Sequence, residues 1–181
     1  ESIFDNDPVI FLEHRWLHGL KSEVPEGDYR VQIGKANILT TGNQITVVSL
    51  SYITIEALRA VKQLQSEGIS CELIDLRSTS PIDWKKIKSS IKKTRKLLVL
   101  DTASESFSVS SEIISRASME CHDYLDRAPD KIALKDAPSP TSFGLTSEYY
   151  YGAKEIYIKI NEIFNKKVDN EKESFSKETP H

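Results

Sequence analysis

Cysteine, methionine and glycine are scarce in this chain of 181 residues, which carries two cysteines, one methionine and seven glycines. Cys71 and Cys121 lie far apart with no Cys-x-x-Cys spacing, which excludes a disulfide framework and a thiolate metal site. Buried free thiols in a reducing cytoplasm are the expectation. The glycines leave no Gly-x-Gly-x-x-Gly, no Gly-x-x-x-x-Gly-Lys-[Ser/Thr] and no Gly-x-Ser-x-Gly, so phosphate-cradling loops and a nucleophile elbow have no place. No apolar run approaches the roughly 20 residues of a membrane span, and no basic-then-apolar leader opens the chain. A net charge of -3 lacks the basic excess that neutralises a phosphate backbone, so no nucleic-acid partner and no membrane partner are expected.

What is present is a soluble-type composition, 39% hydrophobic and 28% charged, long enough for one domain with its own core. The run PVIFLE (8–13) reads as an opening strand with no upstream partner, as expected of a piece of a longer polypeptide. The turn-rich stretch from 21 to 35, around Pro25 and Gly27, reads as a linker. ANILT (36–40) and ITVVSL (45–50), separated by Thr41-Gly42-Asn43-Gln44, suit a hairpin with the first strand at an antiparallel edge. Ala57, Leu58, Val61 and Leu64 recur at helical spacing before a stop at Gly68. ISCELIDL (69–76) is apolar enough for a strand covered on both faces. SPID then places Ser80 as N-cap, Pro81 at the first helical position and Asp83 in the first turn, with Trp84, Ile87 and Ile91 as the inward stripe.

KLLVLD (96–101), a helix carrying Val109, Ile113, Ile114 and Ala117 inward, KIALK (131–135), and a last helix from about Gly152 to Phe164 repeat the alternation. Strands alternating with helices predict a three-layer α/β domain over 36–165 with a mainly parallel sheet. The polar tail, 166–181, has one aromatic among charges and hydroxyls and is expected to stay loosely attached.

Candidate chemistry concentrates in FLEHRWLHGL. His14 and His18 stand one helical turn apart, but Gly19 ends any helix and no third ligand is near, so no metal site is expected. Glu13, His14 and Arg15 instead follow the carboxyl end of the opening strand, where ligands bind in open α/β sheets. An imidazole there can shuttle protons and a guanidinium can hold a carboxylate or phosphate. Asp75, Arg77 and Asp101 end other strands and read first as loop braces, and the rings of EYYYG (148–152) read as core and partner contact rather than a stacking platform.

The order of motifs is more specific than any of them alone. PVIFLEHRWLHG, EVPEGDYRVQIGKANI, the IDLRSTSPID segment and IKKTRKLLVLD together resemble the carboxyl-terminal region of the beta subunit of thiamine-diphosphate-dependent 2-oxoacid dehydrogenases, over Pro8 to Phe164. The resemblance implies a transketolase C-terminal-domain-like fold, a mostly parallel five-stranded sheet with one antiparallel strand. It also implies that residues 1–20 are the remnant of a preceding pyrimidine-binding domain. His14 and Arg15 then match positions that reach the substrate channel, and no catalytic set is complete here.

Thiamine diphosphate and magnesium belong to the parent enzyme in this reading, and the chain alone is expected to bind neither and to be inactive. The implied reaction is oxidative decarboxylation of a 2-oxoacid with acyl transfer to lipoamide. Implied partners are an alpha subunit or amino-terminal domains, a second beta subunit and a lipoyl acyltransferase. Alternatives are a transketolase or deoxyxylulose-phosphate synthase fragment, with Arg15 holding phosphate, and a non-catalytic dimerisation module. Ser106, Phe107 and Ser108 depart from the Gly-Gly-Phe turn common in the family.

Overall fold

The computed structural model describes residues 1–167 and Phe175. The remainder of the 166–181 tail lies outside the described residues; the Phe175 ring packs against Tyr157 at 5.7 Å.

Five strands form one sheet in the order β1-β3-β2-β4-β5: β1 (Asn37–Thr40), β2 (Ile45–Ser49), β3 (Cys71–Asp75), β4 (Leu97–Ser104) and β5 (Asp130–Leu134). All neighbours are parallel except β1 with β3. Helices α1 (Ile53–Ser66) and α5 (Ala153–Ile163) cover one face, and α2 (Trp84–Thr94) and α3 (Val109–Glu120) cover the other.

Strand geometry divides the core between these layers, because successive side chains point to opposite faces. Ile45, Val47, Leu73, Leu98 and Leu100 meet Ala57, Ala60, Leu64, Ile156 and Ile160, while Val48, Ile74, Leu97 and Val99 meet Ile87, Ile91, Ile113 and Ala117. Both clusters lie near full burial, at about 1.5–3 kcal/mol for each large aliphatic side chain. On the α2 side Thr46 takes an inward position, and its hydroxyl is bonded to Ser90 Oγ and Thr94 Oγ1, each at 2.6 Å. A buried hydroxyl is tolerable there because it has partners.

The expected hairpin is not formed. β1 is the antiparallel edge strand, but it pairs with β3, so the 41–44 connection crosses the end of β3 to reach β2 on the far side. Gly42 permits the crossing: a Cβ there would lie 2.2 Å from the Cys71 carbonyl carbon.

Helix α2 also begins later than SPID suggests. Ser80–Pro81 is a cis peptide, and Asp83 is the N-cap, its carboxylate accepting from Lys86 N at 3.2 Å. Ile87 and Ile91 are buried as expected, and Trp84 packs half-buried against the same cluster while donating to Glu120 of α3 at 2.8 Å under the Arg116 guanidinium. A short helix, α4 (Phe143–Tyr149), occupies part of the segment read as a loop.

The opening run PVIFLE joins no sheet. Ile10, Phe11 and Leu12 are 86%, 72% and 89% exposed, and residues 8–13 make no ladder. A strand needs a neighbouring edge for its N–H and C=O groups, and β1 and β5, the two edges of this sheet, do not receive it.

Candidate functional site

The sheet is built outward from β2, with β3 on one side and β4 on the other, so the chain reverses its direction of travel across the sheet at β2. In open α/β sheets the crevice at the carboxyl ends beside such a reversal is where ligands sit. Here β2 ends at Ser49, and Tyr52 follows at the head of α1.

Of the predicted pair, His14 is brought to this point from a distance in sequence, and Arg15 follows it in the chain. Arg15–Leu17 forms a 3-10 turn whose N-cap is His14, with Nδ1 accepting from Trp16 N at 3.3 Å. That bond assigns Nδ1 as acceptor and leaves Nε2 as the protonated nitrogen of the neutral ring. The imidazole lies 4.4 Å from the Tyr52 ring and 5.1 Å from Trp16, and Trp16 continues the stack to Tyr52 at 4.6 Å and Tyr150 at 5.6 Å. Burial holds the His14 pKa below its ordinary value, and the neighbouring His18 lowers it further. Arg15 is exposed and has no ion pair among the described residues.

The other sequence candidates sort cleanly. His18 turns away to Glu13, at 3.2 Å, and no group of three His, Cys, Asp or Glu residues with metal-binding geometry occurs among the described residues. Arg77 donates to Asp75 at 3.3 Å; burial raises the Asp75 pKa against the opposing pull of Arg77. Asp101 accepts from Ala103 N at 3.0 Å and Ser110 N at 2.7 Å, fastening the turn from β4 into α3. These are the braces expected. Of the EYYYG rings, Tyr151 is buried and donates to the Asp101 and Ile132 carbonyls, while Tyr149 and Tyr150 meet edge to face at 5.0 Å. Phe107, in the Ser106–Ser108 departure, is fully exposed with φ of 52°.

Tyr52 was not among the candidates, since nothing in periodicity separates it from core aromatics. The signal available was position, because Tyr52 follows the carboxyl end of a central strand as Glu13-His14-Arg15 was expected to follow one.

Two separated motifs are clasped together on the α2–α3 side of the sheet. Gly34 sits on Pro81, whose Cγ would be 2.7 Å from a Cβ at that glycine. Ala36 N donates to Asp83 Oδ2 at 3.1 Å, and Lys86 Nζ donates to the Ala36 carbonyl. IGKA and SPID therefore depend on each other: the glycine is needed for the approach, the proline fills it, and the carboxylate ties down the entering strand.

A mostly parallel five-stranded sheet between two helical layers, with its candidate site at the carboxyl end of β2, defines the class as a three-layer α/β domain. The chain belongs to the family described as Transketolase, C-terminal domain, which it matches over residues 34–156. It is 35% identical over 86% of its length to the acetoin:2,6-dichlorophenolindophenol oxidoreductase subunit beta of Cupriavidus necator, covering 46% of that protein. It is 38% identical over 83% of its length to the pyruvate dehydrogenase E1 component subunit beta of Acholeplasma laidlawii, covering 45% of it. Among solved structures, a split gene transketolase described as an inactive beta4 tetramer superposes with a TM-score of 0.67 at 25% identity, over 81% of this chain and 48% of that one. The chain thus spans less than half the length of these relatives. Among the described residues no helix is long and apolar enough to cross a membrane.

Proposed function

We propose that this chain is the carboxyl-terminal part of the beta subunit of a 2-oxoacid dehydrogenase, an enzyme of oxidative decarboxylation with acyl transfer to lipoamide. The observation that supports the reading is the packing of His14 on Tyr52, just past the carboxyl end of β2, in a chain whose relatives include pyruvate dehydrogenase beta subunits. Arg15 supplies a cation without an ion pair among the described residues for the substrate carboxylate, and His14 supplies a neutral imidazole whose Nε2–H is available for hydrogen bonding or proton exchange.

Residues 1–20 are, in this proposal, the remnant of a pyrimidine-binding domain, and 21–35 is the linker to the 36–165 domain. The exposed Ile10, Phe11 and Leu12 fit a strand awaiting a sheet edge from the rest of such an enzyme. The domain's own work is assembly, with a second beta subunit, an alpha subunit and a lipoyl acyltransferase as partners.

Thiamine diphosphate with magnesium is the cofactor the family resemblance implies. The described residues do not fit it: they hold no cluster of three metal-ligating side chains, and the chain has no glycine-rich loop to receive a diphosphate. Whatever cofactor site the enzyme has is built by other parts. Calorimetric titration of this chain with magnesium and thiamine diphosphate should show no micromolar binding; such binding would overturn this assignment.

The similarity to acetoin oxidoreductase beta subunits supports a second reading, in which the substrate is acetoin and has no carboxylate for Arg15. Assaying the enzyme that contains this domain with pyruvate, branched 2-oxoacids and acetoin separates the two. With a 2-oxoacid substrate, Arg15→Met should raise KM by about tenfold, since loss of a charged hydrogen bond is worth about 1.5 kcal/mol. Turnover of acetoin alone, or an unchanged KM, sinks the 2-oxoacid reading.

A further inference from the structure

Tyr52 is only 6% exposed, yet its hydroxyl has no hydrogen-bond partner among the described residues. A buried hydroxyl without a partner works against folding, and a phenylalanine would avoid the penalty. Nearby Tyr151 shows how this fold treats a phenol whose role is structural: its hydroxyl reaches the Asp101 carbonyl at 2.7 Å and the Ile132 carbonyl at 3.1 Å. Tyr52 makes no such contact. Instead its ring lies under the His14 imidazole, 4.4 Å away and tilted 41°, and meets Trp16 nearly edge-on at 4.6 Å.

The contacts of His14 leave Tyr52 as its main support from the 36–165 domain. Trp16 N fixes Nδ1 from within the turn, and Glu13 is engaged by His18. The titratable group that acts on His14 is His18, on its own segment, and the Tyr52 ring at the head of α1 packs against the imidazole.

We propose that Tyr52 is the positioning residue of His14: its ring holds the imidazole at the carboxyl end of β2, and its hydroxyl is a donor reserved for an oxygen acceptor on the 2-oxo ligand that His14 meets. This rests on His14 and Arg15 being substrate contacts. The hydroxyl suits the role because burial, with Tyr150 and Glu56 nearby, pushes its pKa up and keeps it protonated at neutral pH. The His14 and Trp16 rings pack on the Tyr52 ring, so a ligand that reaches both His14 and the hydroxyl displaces the 14–16 turn.

Three measurements test the proposal, the first two on this chain. Followed by NMR, His14 titrates below its ordinary value in the wild type; Tyr52→Phe keeps that value, and Tyr52→Leu or Tyr52→Met moves it upward as the imidazole loses cover. Having two aliphatic variants guards against one failing to fold. Identical titration in all variants, or a Tyr52→Phe shift as large as the aliphatic ones, overturns the ring's role. In thermal melts Tyr52→Phe unfolds at a higher temperature than the wild type; a lower Tm reveals a structural partner for the hydroxyl and overturns its reservation. In the enzyme that contains this domain, Tyr52→Phe lowers kcat/KM for the 2-oxoacid by about tenfold, the loss expected for one hydrogen bond to the reacting ligand. An unchanged kcat/KM overturns the donor role. His14→Asn with unchanged kcat/KM defeats the underlying reading of His14, whatever the titrations show.

Discussion

Removing Lys93 should destabilise the domain by more than a surface lysine ever does. Its ammonium is the ion-pair partner of Glu72, whose side chain in β3 is only 4% exposed, while Lys93 itself is 46% exposed at the end of α2. Taking one member from a buried pair leaves an uncompensated charge and costs about 3–5 kcal/mol; an exposed pair is worth about 1 kcal/mol or less. Because Lys93 is half in water, and water can follow when it is removed, about 2–3 kcal/mol is expected for Lys93→Met. With urea m-values of about 1–3 kcal/mol/M, the midpoint should fall by about 1–2 M. The double variant Glu72→Leu/Lys93→Met should recover most of the loss, since replacing both charges with apolar groups is close to neutral. A Lys93→Met midpoint equal to that of the wild type, or a double variant no better than the single, refutes the argument that Glu72 is desolvated and depends on this one cation.

Asp83→Ala removes both the cap of α2 and the tie to Ala36, about 1 kcal/mol each, and should lower Tm by several degrees in a thermal melt. Gly42→Ala forces a Cβ into the Cys71 backbone, so the loss should be at least about 2 kcal/mol by urea titration; an unchanged midpoint would show that the crossing over β3 is wrong. Burial raises the Cys71 thiol pKa to about 12, so no thiolate forms near pH 8 and iodoacetamide should label it only after denaturation, as read by mass spectrometry. The buried Thr54 hydroxyl also lacks a partner among the described residues, and Thr54→Val should leave stability equal or raise it by up to about 1 kcal/mol.

The layers and most elements were legible because their signals are local. The Ala57–Leu64 stripe, the stop at Gly68 and the apolar density of ISCELIDL each follow from backbone geometry acting over a few residues, and the structure places α1 and β3 where they point. Pairing was not local. Four residues between two strands favour a hairpin, and only the absence of a Cβ at Gly42, against a backbone far along the chain, lets β1 go to β3 instead. The start of α2 failed for a related reason, since Asp83 is selected as cap partly by its bond to Ala36. At the site, His14 and Arg15 drew notice through their residue types and their place after an expected strand. Tyr52 could not, because an orphaned hydroxyl is a property of the folded neighbourhood and not of the residue.

The segment from 18 to 33 is fastened at both ends to opposite layers of the molecule: Trp16 and Leu17 pack against the α1–α5 cluster, while Ala36 belongs to the α2–α3 cluster. It is therefore a tether, and the contact of the 14–17 turn with Tyr52 is an intramolecular binding reaction. A flexible span of this length has a root-mean-square reach of about 20–25 Å, which gives an effective concentration on the order of millimolar. A contact whose dissociation constant lies below millimolar is held closed most of the time by such a tether, even where the same contact between separate molecules would be dilute. One cut within the tether turns a permanent partner into a dilute ligand, so limited proteolysis there should release His14 and Arg15 from the domain while leaving its sheet intact.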